Sequence, residues 1–123
     1  MKLITKTIRE QLVANATVRE EAGGERADFP PVVKFFMPNG PAIWLVSELH
    51  GEDSLYGLCD MGMGLPGLDL GYFSLHDLRR FSDPLGGGVE RDRQFEAKAP
   101  ISVYAAAAEK AGHIVEDLDA ETA

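Results

Sequence analysis

The chemistry-bearing residues of this chain lie in four short stretches. In Glu48-Leu-His50-Gly-Glu-Asp53, three side chains could offer metal ligands from one loop. A zinc or iron site needs such groups to converge, with further His or Cys in support. His76 and His113 lie in separate segments, and Cys59 has no partner cysteine. No metal is expected here, and Glu48 is kept as a binding candidate. Asp60 and Asp69 flank a glycine-rich stretch, and two carboxylates brought together there could share acid–base work. Between them, Gly62-Met-Gly-Leu-Pro-Gly67 matches G-x-G-x-x-G. A dinucleotide site needs a helix to open at those glycines, so that its amides hold the pyrophosphate. Pro66 and a second strand-like run follow instead, and no Gly-Lys-Ser/Thr loop exists. No cofactor is therefore expected.

The fourth stretch is Glu90-Arg-Asp-Arg93. Arg91 and Arg93 would share one face of a strand, as a solvated, ion-paired edge or as an arginine pair for an anion. Trp44 and Tyr72 are aromatic residues of strand-like runs, suited to a core, a groove or a ligand-stacking surface. No Ser-His-Asp or Cys-His arrangement stands out, and no residue is assigned a catalytic role. The candidate binding surface is Trp44, Glu48, Asp60, Tyr72, Arg91 and Arg93.

Composition narrows the classes. The chain has 123 residues, 45% hydrophobic, with a formal net charge of -8. That length favours one domain with a core that needs no disulfide or metal. No apolar run approaches a membrane span. Met-Lys-Leu-Ile-Thr-Lys6 lacks the apolar segment of a signal peptide. With one cysteine, expected as a buried small hydrophobe, the expectation is a cytoplasmic protein. The acidic balance disfavours direct binding to nucleic acid, which rests on clustered Lys and Arg. Two acidic clusters, Glu20-Glu21 with Glu25 and Asp28, and Glu116-Asp117-Asp119-Glu121, offer charge to a basic partner protein, a DNA-binding protein among them.

The elements that would position these residues follow from periodicity. Ile4, Ile8 and Leu12 predict a helix over residues 1–16, capped by Thr5 or Thr7. Residues 17–30 are charged, carry Gly23-Gly24, and predict an exposed loop. Val32-Val-Lys-Phe-Phe-Met37 and Ala42-Ile-Trp-Leu-Val-Ser-Glu-Leu49 predict a hairpin. Its Pro-Asn-Gly-Pro41 turn would place both central residues at positive φ. The second of these strands is apolar on both faces, which suits a central strand. Ser54–Asp60 and the run from Leu68 to Phe73 continue an antiparallel meander. At Ser74 the period changes to helical, and Ser74-x-x-Asp77 is a capping box. Ser82-Asp-Pro84 ends that helix. Residues 89–95 predict a charged edge strand. Pro100 opens a helix with Tyr104, Ala107, Ala108 and Ala111 on one face and Gly112 as its C-cap.

Several of these runs also occur together in a known family. Met-Lys-Leu-Ile-Thr-Lys6, Val-Val-Lys-Phe-Phe-Met-Pro38, Trp44-Leu-Val-Ser-Glu48, Leu-Gly-Tyr-Phe-Ser-Leu75 and Glu-Arg-Asp-Arg-Gln-Phe95 come in that order. Over residues 1–100 the chain resembles the bacterial domain-of-unknown-function family DUF2958. The resemblance implies a setting on plasmids, phages and integrating elements, near antirestriction or DNA-processing genes. It implies no catalytic residues.

The resulting expectation is one α+β domain over residues 1–112, followed by a flexible acidic tail at 113–123. An antiparallel sheet of about five strands carries N-terminal, central and C-terminal helices on one face. The expected function is that of a non-enzymatic, acidic interaction domain of a mobile element. The alternatives are a small metal- or carboxylate-dependent enzyme acting on nucleotides or nucleic acid, and a small-ligand sensor using a sheet face around Trp44 and Tyr72.

Overall fold

A computed structural model describes residues 2–23, 27–62 and 67–118. Within them the order is α1 (Lys6–Glu21), β1 (Val33–Phe36), β2 (Ile43–His50), β3 (Ser54–Asp60), β4 (Leu68–Ser74), α2 (Leu75–Arg80), β5 (Glu90–Arg91) and α3 (Ile101–Ala111). The class is α+β, as the periodicity predicts.

α1 begins where it does because Thr5, in an extended conformation, accepts a bond from the amide of Ile8 at 3.2 Å. Thr5 rather than Thr7 is thus the cap. The helix continues past residue 16 to Glu21, so the predicted loop begins later. The stripe it buries is Leu12, Asn15, Ala16 and Arg19, the i, i+3, i+4, i+7 face of a helix. Two of the four are polar, which hides the stripe from a hydrophobicity reading.

β1 and β2 form the expected hairpin, Phe35 opposite Trp44. Its turn differs from the expectation, because neither Asn39 nor Gly40 has positive φ. The amide of Gly40 donates to Met37 O at 3.1 Å, which places Pro38 at the second position of a β-turn, where its fixed φ fits. β2, β3 and β4 then run antiparallel, in the sheet order β4-β3-β2-β1-β5. A bulge interrupts β2 between Val46 and Glu48. Gly57, paired with Val46, is required beside it: a Cβ there would collide with Leu45 O and stand 2.9 Å from Val46 Cα.

α2 starts at the predicted cap. Ser74 Oγ accepts from the amide of Asp77 at 3.1 Å. Asp53 strengthens this cap: it accepts from Ser74 Oγ and from the amide of His76, both at 2.7 Å. After α2 the chain returns to the far edge of the sheet, where β5 pairs with β1. β5 is two residues long, shorter than the predicted strand at 89–95. α3 ends at Gly112, whose φ of 83° is left-handed and whose amide bonds Ala108 O at 2.7 Å.

Helices cover both faces of the sheet, which corrects the one-face expectation. Trp44, Val46, Leu49 and Leu55 pack with α1 and α2 through Leu12, Leu75 and Leu78. Leu45 and Leu58 pack on the other side with Ile101, Tyr104 and Ala108 of α3. The reason is in β2: successive residues alternate between faces, and both sets are apolar, so each needs a cover. The described part of the tail also packs. Ile114 and Leu118 are buried in the α3 cluster, so packing extends beyond residue 112; residues 119–123 lie outside the described residues.

Candidate functional site

The bulge decides where the polar residues of β2 point. Without it, Glu48 would alternate onto the α1 side with Trp44 and Val46. The extra residue, Ser47, turns Glu48 to the α3 side, opposite Tyr56. His50 follows on that face, and Tyr72 pairs with Tyr56. α3 covers the Leu58 end of this face, and Tyr72 at the other end is 58% exposed.

β1 accompanies β2 only as far as Val46. Beyond that point α1 takes its place. Asn15 Nδ2 donates to Ser47 O at 2.9 Å. Arg19 Nε donates to both oxygens of Glu48, at 2.7 and 2.9 Å, and Arg19 Nη2 donates to Ala27 O at 2.9 Å. The guanidinium carbon lies 4.4 Å from the centre of the Tyr56 ring, a cation–π contact. Glu48 is fully buried, so its charge is tolerable only because it is paired. His50 Nε2 lies 2.8 Å from Glu48 Oε1 and its Nδ1 3.2 Å from Glu20 Oε1. Both nitrogens of the ring thus face carboxylate oxygens. The ring centroid of Tyr72 is 5.3 Å from that of His50 and 5.0 Å from that of Tyr56.

These contacts set the electrostatics. The Glu48 hydrogen bonds raise the Arg19 guanidinium above its ordinary range, against the opposing effect of burial. Burial raises the Tyr56 phenol, and the Arg19 cation partly offsets it. The cluster is a hydrogen-bonded network with one aromatic ring, Tyr72, projecting from it.

The other sequence candidates do not join it. Trp44 is 2% exposed and lies on the opposite face, stacked on Phe81 at 5.9 Å. A single ligand surface containing both Trp44 and Tyr72 is therefore ruled out by strand alternation. Asp60 is buried at the far end of β3. Its two oxygens accept from the amides of Gly62 and Ile114, both at 2.8 Å. Asp60 pairs with Leu68, and Asp69 with Cys59, so the two aspartates point to opposite faces and form no acid–base pair. Arg91 Nη1 donates to Lys2 O at 2.6 Å and to Leu3 O at 3.2 Å. Arg93 is exposed in the turn after β5, so the pair does not share a strand face. Asp53 serves the α2 cap. Among the described residues no group of three or more His, Cys, Asp or Glu could hold a metal ion. The glycine run at 62–67 leads into β4 rather than a helix; its residues 63–66 lie outside the described residues.

Asn15, Arg19 and Tyr56 were not singled out by the sequence. The available signal was the helical register of Asn15 and Arg19 with Leu12.

The family model for proteins of unknown function, DUF2958, matches residues 3–115. The chain belongs to the DUF2958 family. No curated protein and no solved structure matches this DUF2958 chain significantly. No helix among its described residues is long and apolar enough to cross a membrane.

Proposed function

We propose that this DUF2958 chain is a non-enzymatic interaction domain that binds a basic segment of a partner protein through Tyr72, with Tyr56, His50 and Glu20 around it. The observation that carries this reading is the contrast between Tyr72 and its neighbours. Glu48, Asp53 and Asp60 are the carboxylates that acid–base or metal chemistry would need, and this chain's own donors already engage each of them. Tyr72, by contrast, is 58% exposed. An arginine laid on an exposed tyrosine gains a cation–π contact, and a carboxylate at the rim adds a charge-assisted bond. Glu20 is such a rim group: its Oε1 faces His50 Nδ1 at 3.2 Å, and its side chain stays 65% exposed. The overall charge of -8 favours basic partners at longer range. The mobile-element setting implied by the family makes a DNA-binding protein a fitting class of partner in the cytoplasm.

The test is an NMR titration of the full chain with an arginine-rich peptide and, as control, a glutamate-rich one. Salt-sensitive shifts at Tyr72, Tyr56 and Glu20 with the arginine peptide alone are expected. They should be lost in Tyr72→Ala. Shifts elsewhere, or shifts unaffected by that substitution, would sink the reading.

A further inference from the structure

β4 is the outer strand of the sheet on the side away from β5. The phase of its ladder is fixed at both ends: Met61 N donates to Gly67 O, and Leu75 N donates to Asp53 O. Hydrogen-bonded and non-hydrogen-bonded pairs alternate along an antiparallel ladder. Gly67, Asp69, Gly71 and Phe73 therefore turn their amides and carbonyls toward β3. Leu68, Leu70 and Tyr72 turn theirs outward, where no strand among the described residues meets them. The side chains of these three also share one face, toward α3.

We infer that the outer edge of β4 pairs antiparallel with β4 of a second copy of this chain, about a two-fold axis at Leu70. The stretch is self-complementary in that register, as an isologous contact must be. Leu70 faces Leu70 of the second copy, and Leu68 faces Tyr72 in both directions. Each of these pairs exchanges two backbone bonds, which satisfies every outward group of Leu68, Leu70 and Tyr72. On the other face Asp69 falls opposite Gly71, so no like charges meet. A two-fold at Asp69 would instead set two carboxylates directly opposite, which is destabilising.

Gly71 supplies a second observation. Its φ is not positive, and among the described residues a Cβ there would meet only Asp69 Oδ2, at 3.6 Å. Nothing among the described residues of its own chain requires a glycine. Glycine inside a strand weakens it, and it often marks the close approach of another backbone. In the dimer that backbone is the second β4, and the missing side chain makes room for the opposing Asp69. The axis stands perpendicular to the sheet, so both Tyr72 rings lie on the same face of one continuous sheet.

Sedimentation velocity on the full chain should show a concentration-dependent dimer. Leu70→Lys places two ammonium groups across the axis and should yield a monomer with an unchanged circular dichroism spectrum. Cross-linking fixes the register independently of that variant. In a Cys59→Ala background, Asp69→Cys protein mixed with Gly71→Cys protein should form a disulfide-linked dimer in a glutathione buffer, since opposed non-hydrogen-bonded pairs lie within disulfide reach. Neither protein alone should do so. A monomer at every concentration, as expected if β4 instead receives a strand from a different protein, overturns the proposal. So does a dimer that survives Leu70→Lys and gives no cross-link.

Discussion

Arg19 Nε stands 2.7 Å and 2.9 Å from the two carboxylate oxygens of Glu48, and this pair fastens the last turn of α1 to β2. Glu48 is fully enclosed, and Arg19 is nearly so. Neither charge is tenable without the other. The bulge at Ser47 and the early end of β1 make the pairing possible.

Glu48→Ala should therefore cost about 3–5 kcal/mol, because it leaves a buried guanidinium without its partner. Arg19→Met in the same chain should recover much of that loss, since a well-packed apolar pair often equals a buried ion pair. Urea unfolding of the two single variants and the double variant measures the coupling.

The bulge is tested by glycine. Gly57→Ala drives a methyl into the backbone of β2 at Leu45 and Val46. It should cost about 3 kcal/mol or more, at the upper end of overpacking effects. Gly71→Ala meets no such obstacle and should change the stability of the monomer by about 0.5 kcal/mol or less. Comparable losses in the two variants would contradict the described register.

The α2 cap should be sensitive to acid. The Ser74 hydroxyl and the His76 amide, in that order, hold Asp53 below the usual carboxylate range. A carboxylate lowered by folding stabilises fully above its unfolded value, about 3.9, and the stabilisation disappears as pH falls through the folded value. The difference in Tm between wild type and Asp53→Asn should be constant above about pH 5 and shrink below about pH 4. Ser74→Ala removes the hydroxyl and should cost about 1 kcal/mol at neutral pH.

Cys59 should react slowly. Burial pushes its thiol up, with the Trp44 side chain opposing weakly, and the thiolate is the reactive form. Iodoacetamide labelling followed by mass spectrometry should be slow at pH 7 and become fast in urea. Rapid labelling of the folded protein would contradict that.

The stretch from Leu68 to Arg80 was legible because its signals are local. Alternation makes β4, Ser74 caps α2, and the spacing of Leu75 and Leu78 sets the helical face. The hairpin and the C-cap at Gly112 were legible for the same reason. Trp44, Asp60, Arg91 and Arg93 were recognised as residues capable of chemistry, but their grouping could not be read. Whether two residues share a face depends on strand register and bulges, which are set by pairing between distant segments.

The sequence by itself determined the class, the antiparallel meander and the caps at Ser74 and Gly112, all of which follow from residues within one turn or strand of each other. Only the tertiary structure decided that the sheet is covered on both faces. It also decided that Glu48 belongs with Arg19, His50 and Tyr56. A one-residue bulge reverses the face of everything beyond it, and a polar helix stripe acquires a meaning only when its partner strand lies beside it. Both effects arise from packing between elements, and no local pattern encodes them.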